Sequence, residues 1–339
     1  MRAGSGDPAA TTASQPALSC VAASVQTIYF NSYLPLQTRI QLAEVPHGDR
    51  FPTPSETLSA RAVFESKIMR LRMTADTLVE ARWVIPVIPR NTVLENHTVV
   101  FSGGRIADIL PTEAARVRYA GLEAKTVRLP AGVVMPGLVN LHTHAAMNLL
   151  RGRGADLPLM DWLTKEIWPA EGRLMSAEFV HDGSLIAGVE MIRSGVTCCS
   201  DLYFFPDAAA EGLREAGLRC ATAGIVIGFP SAWAANDDEY FSKCEALIER
   251  YSGDPFVRVT VGPHAPYTVS DASLARCAAL SERHGLPVHI HVNETAGEVE
   301  ASLKDHGERP VARLARLGLL NERLISVHSV HTSNEDIRM

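Results

Sequence analysis

Leu138-Val139-Asn140-Leu141-His142-Thr143-His144 closes an apolar run of the 339-residue chain. Side chains two apart on a strand share a face, so His142 and His144 can converge on one ion. With 12 histidines in the chain, composition alone yields roughly 0.4 such H-x-H pairs, so position must supply the weight. Ten of the twelve lie at or after residue 142. His264 follows the apolar run 257–262, His291 ends the run 287–291 with Glu294 three residues on, and His328 ends the run 324–328. His289 is assigned to the strand face opposite His291 and left out, and His331 is a weaker rival of His328. A buried, hydrogen-bonded structural histidine is the bland reading of each ring singly; four runs ending in imidazole make it a poor reading of all together. Three imidazoles that leave open positions suit a catalytic zinc ion; Fe2+ and Mn2+ tolerate the same set. A bound divalent ion lowers the pKa of its water from about 15.7 towards about 7, and a carboxylate such as Glu294 could then carry the proton. No H-E-x-x-H helix is present, which excludes a zincin protease.

The elements needed to hold these residues are legible. Beyond residue 133, strand-like runs at 133–140, 195–202, 219–227, 257–262, 287–291 and 324–328 alternate with amphipathic stretches such as 177–193, 238–251, 271–284 and 310–317. Strand and helix repeated six times predict an α/β fold with a parallel sheet. No glycine-rich phosphate loop follows the first run, which disfavours an open doubly wound sheet. A (β/α)8-type barrel is expected, with six strands in the chain, and its strand C-termini form the reactive face. Short β-type runs separated by Pro, Asn and Gly predict a small β-domain ahead of it. The expected organisation is 1–72 as a disordered or spurious extension with Met73 as the start, 73–132 as the β-domain, and 133–339 as an incomplete barrel.

Composition sets the remaining bounds. The formal charge is 32 − 38 = −6, with 46% hydrophobic and 21% charged residues. That argues against non-specific nucleic-acid binding and against a polybasic membrane anchor, so no nucleic-acid or membrane partner is expected, with a homo-oligomer left open. Six cysteines without a C-x-x-C pair point to a reducing compartment, hence the cytoplasm.

Met135-Pro136-Gly137-Leu138-Val139-Asn140-Leu141-His142-Thr143-His144 resembles a signature of the amidohydrolase superfamily. From about Leu78 to Met339 the chain is similar to its 5-methylthioadenosine/S-adenosylhomocysteine deaminase branch. Ile167-Trp168-Pro169-Ala170-Glu171, Gly262-Pro263-His264-Ala265-Pro266-Tyr267 and His289-Ile290-His291-Val292-Asn293-Glu294-Thr295 carry the likeness in order. The resemblance implies one Zn2+ per subunit on His142, His144 and His291. It implies that Glu294 contacts the purine and shuttles a proton, His264 contacts substrate, and His328 orients the attacking water. Glu171, otherwise read as a helix-end acid, would reach the ribose hydroxyls. The implied reaction converts the adenine of 5′-methylthioadenosine or S-adenosylhomocysteine to the inosyl product and ammonia. Guanine-type and chlorotriazine-type amidohydrolases, or a catalytically incomplete fragment, are the alternatives. Two departures stand out: the family's eighth-strand aspartate lies beyond the six strands present, with Asp336 no substitute, and no carboxylate-binding arginine falls within 224–235.

Overall fold

The computed structural model describes residues 74–339; the expectations for 1–72 and for Met73 as a start lie outside the described residues. These residues form two compact units, 74–135 and Pro136–Met339. Among them no helix is long and apolar enough to cross a membrane.

In the first unit β1 (Thr77–Val84), β2 (Leu94–Ser102), β3 (Arg105–Pro111) and β4 (Lys125–Val134) make one sheet, ordered β3-β2-β1-β4. β1 pairs antiparallel with β2 and parallel with β4. Gly103 and Gly104, with φ +55° and +75°, close the tight β2–β3 turn that side-chain-bearing residues resist. Helix α1 (Thr112–Arg118) packs Ala115 with Leu78, Val100 and Tyr119 into a small core. Glu80, nearly buried, accepts two hydrogen bonds from Arg116 and one from Arg128. These cations hold its carboxyl below the ordinary range despite burial.

The second unit is an α/β barrel unit. Its strands are β5 (Leu138–Thr143), β6 (Val196–Asp201), β7 (Arg219–Val226), β8 (Val257–Pro263), β9 (Val288–Val292) and β10 (Leu324–His328). They form one parallel sheet in sequential order, as chain-adjacent βα units require. Between them run α2 (Ala177–Arg193), α3 (Pro206–Glu215), α4 (Asp237–Arg250), α5 (Asp271–His284), α6 (Ala296–His306) and α7 (Pro310–Arg316), with α8 (Asn334–Arg338) last. Side-chain caps from Ser176, Asn236, Ser270, Thr295 and Ser333 fix where α2, α4, α5, α6 and α8 begin. All five β9 residues are buried, as in a strand covered on both faces. The run expected at 133–140 is divided: Val133 and Val134 end β4, Met135-Pro136-Gly137 breaks the ladder, and β5 begins at Leu138. Proline removes the donor a continuous strand would need.

One helix contact bears directly on the histidine strand. Gly183 of α2 lies against the turn Ala145–Leu150, and a Cβ there would sit 2.5 Å from the Ala146 carbonyl oxygen and 2.9 Å from its Cα. Both are backbone atoms, so relief requires moving the segment that follows His144. Gly183→Ala is expected to lower stability by about 1–3 kcal/mol in a urea titration. A loss under about 0.5 kcal/mol, the size of a surface substitution, would contradict this packing.

Candidate metal centre and active site

The C-terminal strand ends bring five imidazoles together. His142 lies in β5 and His144 just past it; His264 follows β8, His291 lies in β9, and His328 ends β10. Ring centroids are 4.7 Å apart for His142–His144, 4.9 Å for His142–His291 and 5.2 Å for His144–His291. His264 lies 5.0 Å from His291, while His328 stacks on His291 at 5.4 Å. One ring nitrogen each of His142, His291 and His328 lies within 4.8 Å of the others.

Hydrogen bonding fits this set to a cation. His144 Nδ1 lies 2.5 Å from the Leu202 carbonyl oxygen, and His291 Nδ1 lies 2.7 Å from that of His264. A carbonyl only accepts, so each Nδ1 carries the hydrogen and each Nε2 presents a lone pair. Those two Nε2 atoms face each other at 3.3 Å. Lone pairs that close repel unless a positive centre stands between or beside them. Burial, reinforced by neighbouring imidazoles, lowers the pKa of His142 and of His264 to about 3 and depresses His144 and His291 as well. The rings are therefore neutral, the form that ligates. Between their folded pKa and the ordinary 6.5, such groups bind more protons unfolded than folded. Stability of the chelator-stripped protein is thus expected to fall as pH drops from about 6.5 towards about 3. Urea midpoints compared at about pH 6.5 and about pH 5, above most carboxylate titration, check this; a midpoint that rises on acidification contradicts it.

The remaining polar groups surround this cluster. Glu294 Oε1 lies 3.5 Å from His328 Nε2. The Glu294 and Asn293 backbone N–H groups donate to Glu298 at 2.8 and 3.0 Å, which fixes the turn. Asn293 and His328 adopt left-handed backbone, φ +53° and +68°, a cost of about 1–2 kcal/mol each that concentrates at functional sites. His264 Nδ1 pairs with the Thr268 hydroxyl at 2.8 Å. Glu171 lies in the helix Trp168–Leu174, where burial raises its pKa and a 2.5 Å hydrogen bond from the Tyr203 hydroxyl lowers it in part. His144, His264, Glu171, Trp168, Tyr203 and Ile225 share one mainly apolar cavity. A hollow of about 450 Å³ continues outward past Trp168, Glu171 and Phe204 to Phe229. Asp336 lies elsewhere, paired with Arg309 at 2.8 Å in the α8 capping box. His331 is exposed, and its described contacts are backbone ones.

Three groups in this neighbourhood were not singled out by sequence reasoning. Tyr203 meets Glu171 across 32 residues, and nothing local signals the pairing. Asp201, fully buried with its pKa raised to about 7 by burial, accepts the Ala145 N–H at 2.6 Å beside His144. The exclusion of His289 is corrected: residues two apart share a strand face, and His289 Nε2 lies 2.9 Å from His142 Nδ1. Period-two counting from His291 would have found it.

The amidohydrolase family model matches residues 133–339, the span that carries all these strand ends. The chain belongs to the amidohydrolase family. It is 42% identical over 266 residues to the 5-methylthioadenosine/S-adenosylhomocysteine deaminase of Teredinibacter turnerae, covering 78% of this chain and 60% of that protein. The chain thus spans about 60% of the length of the curated relatives it matches. The crystal structure of an adenosine deaminase from Xanthomonas campestris with bound zinc aligns with a TM-score of 0.75 and 46% identity, over 78% of this chain and 60% of that one. An atrazine chlorohydrolase from Arthrobacter aurescens TC1, complexed with zinc, shares the fold at a TM-score of 0.68 and 19% identity, over 77% and 62%. This amidohydrolase unit, with its neutral imidazoles, is built for a divalent metal.

Proposed function

We propose that this amidohydrolase is a hydrolytic deaminase of thioether adenine nucleosides, 5′-methylthioadenosine or S-adenosylhomocysteine. The observation that carries the reading is the half-buried Glu171, which lines both the apolar cavity beside the imidazole cluster and the adjoining hollow. A carboxylate there suits ribose hydroxyls, and the hollow beyond it suits a 5′ substituent; a bare heterocycle needs neither. The names of the relatives support the same choice. His142, His144 and His291 would hold one zinc ion, which supplies Lewis acidity and a more acidic water. Glu294, facing His328, would take a proton from the attacking water and deliver it to the purine ring nitrogen. His328 orients the water, and His264 hydrogen-bonds the substrate. The water oxygen adds at C6, the hydrogen left on that oxygen passes to the amino group, and the C6–N bond breaks to release ammonia and leave the carbonyl. Apolar walls around the base exclude bulk water and strengthen each of these contacts. The substrate is a small molecule. The free cysteines among the described residues suit a reducing cytoplasm.

Ammonia release from a panel of methylthioadenosine, adenosylhomocysteine, adenosine, guanine and a chlorotriazine tests the reading. The thioether nucleosides are expected to turn over fastest. Guanine or the chlorotriazine outpacing them would overturn it.

A further inference from the structure

His289 lies at the centre of a hydrogen-bonded chain that the proposed reaction does not use. It is completely buried on β9. Its Nε2 lies 2.9 Å from His142 Nδ1, and its Nδ1 lies 3.1 Å from the Ser200 hydroxyl of β6. Three strands therefore meet through one imidazole: β5 by His142, β6 by Ser200, and β9 by His289 itself.

The three proposed ligands are not held alike. His144 and His291 each direct Nδ1 at a carbonyl oxygen, which accepts and never donates, so their tautomers are fixed by the backbone. His142 alone directs Nδ1 at a group able to do either. Two orders are available. In one, His142 Nδ1–H donates to His289 Nε2 and His289 Nδ1–H donates to Ser200 Oγ; the His142 Nε2 lone pair is then free. In the other, the Ser200 hydroxyl donates to His289 Nδ1 and His289 Nε2–H donates to His142 Nδ1; Nε2 of His142 then carries a hydrogen and cannot ligate.

We propose that His289, backed by Ser200, is a positioning residue that accepts the His142 Nδ1–H and so sets the one proposed metal ligand whose tautomer the backbone leaves open. The proposal rests on the reading of His142 as a metal ligand. Loss of such an outer partner commonly costs 10–100-fold in metal affinity.

Zinc affinity of the full chain, measured by competition with a chromogenic chelator, tests it. His289→Phe keeps bulk without an acceptor and is expected to bind zinc about 10–100-fold more weakly. His289→Gln offers a carbonyl oxygen and is expected to recover most of that loss. Ser200→Ala, which keeps both rings, is expected to give a smaller loss in the same direction. Because a buried substitution at 289 can unfold the chain, nitrogen-15 spectra of wild-type histidines supply an independent reading. Zinc-loaded protein is expected to show His142 protonated at Nδ1 and His289 protonated at Nδ1. Wild-type affinity in a folded His289→Phe protein, or a zinc-loaded His289 protonated at Nε2, overturns this proposal alone. A wild-type chain that takes up no zinc overturns it together with the reading of His142 as a ligand.

Discussion

His291→Ala is expected to abolish zinc-dependent stabilisation and, with it, turnover. Nδ1 of His291 is fixed by the His264 carbonyl, and Nε2 faces that of His144 at 3.3 Å, so this ring occupies the centre of the set. Removing it leaves two imidazoles and a void, and the loss should exceed the roughly 10–100-fold that an outer partner costs. A ligand bound only by the folded state stabilises by about 2.7 kcal/mol at a hundredfold excess over its dissociation constant. Zinc is therefore expected to raise the melting temperature of the wild-type chain by several degrees and leave that of His291→Ala unmoved. An equal shift in both proteins would place the zinc elsewhere. Because the wild-type rings are kept neutral by burial, the wild-type shift should persist well below the ordinary imidazole pKa of about 6.5, where exposed histidines release their metals.

Glu294→Gln separates proton transfer from metal binding. The two side chains have the same shape, and the turn that presents residue 294 is anchored by Glu298 through backbone N–H groups, which the substitution leaves intact. Glutamine neither takes a proton from water nor delivers one to a ring nitrogen. General acid–base catalysis contributes roughly 10²–10⁴-fold, so kcat for the thioether nucleoside is expected to fall by that factor, with zinc affinity and melting temperature close to wild type. A kcat within about threefold of wild type, far short of that range, would remove Glu294 from proton transfer.

Several strand ends were legible because a short apolar run carries a histidine at or next to its end, as at Val327-His328, Ile290-His291 and Pro263-His264. Long helices such as α2 and α5 were legible from their periodicity and caps. Some shorter helical pieces, unlike α7, were not. α3 begins at Pro206 after a left-handed Phe205, and its Gly212 lies against the α2 backbone at His181 and Leu185, a close approach that no local period reports. The stretch Leu159–Trp162, the π turn Leu163–Ile167 and the helix Trp168–Leu174 are interrupted by Pro169 and Gly172, and no single period describes them. Yet this stretch brings Trp168 and Glu171 to the cavity, which residue spacing alone could not locate and resemblance could. His289 was lost through a miscounted face. Tyr203 and Ser200 were illegible because their importance lies in partners 32 and 89 residues away.

X-ray absorption at the zinc edge of the zinc-loaded chain is the most direct test that the strand-end imidazoles form one metal site. The expected spectrum shows three imidazole nitrogens at about 2.0–2.1 Å, with the outer-shell scattering of intact rings and one or two oxygen neighbours. Sulfur scatterers at about 2.3 Å, or a shell of oxygen atoms alone, would contradict it.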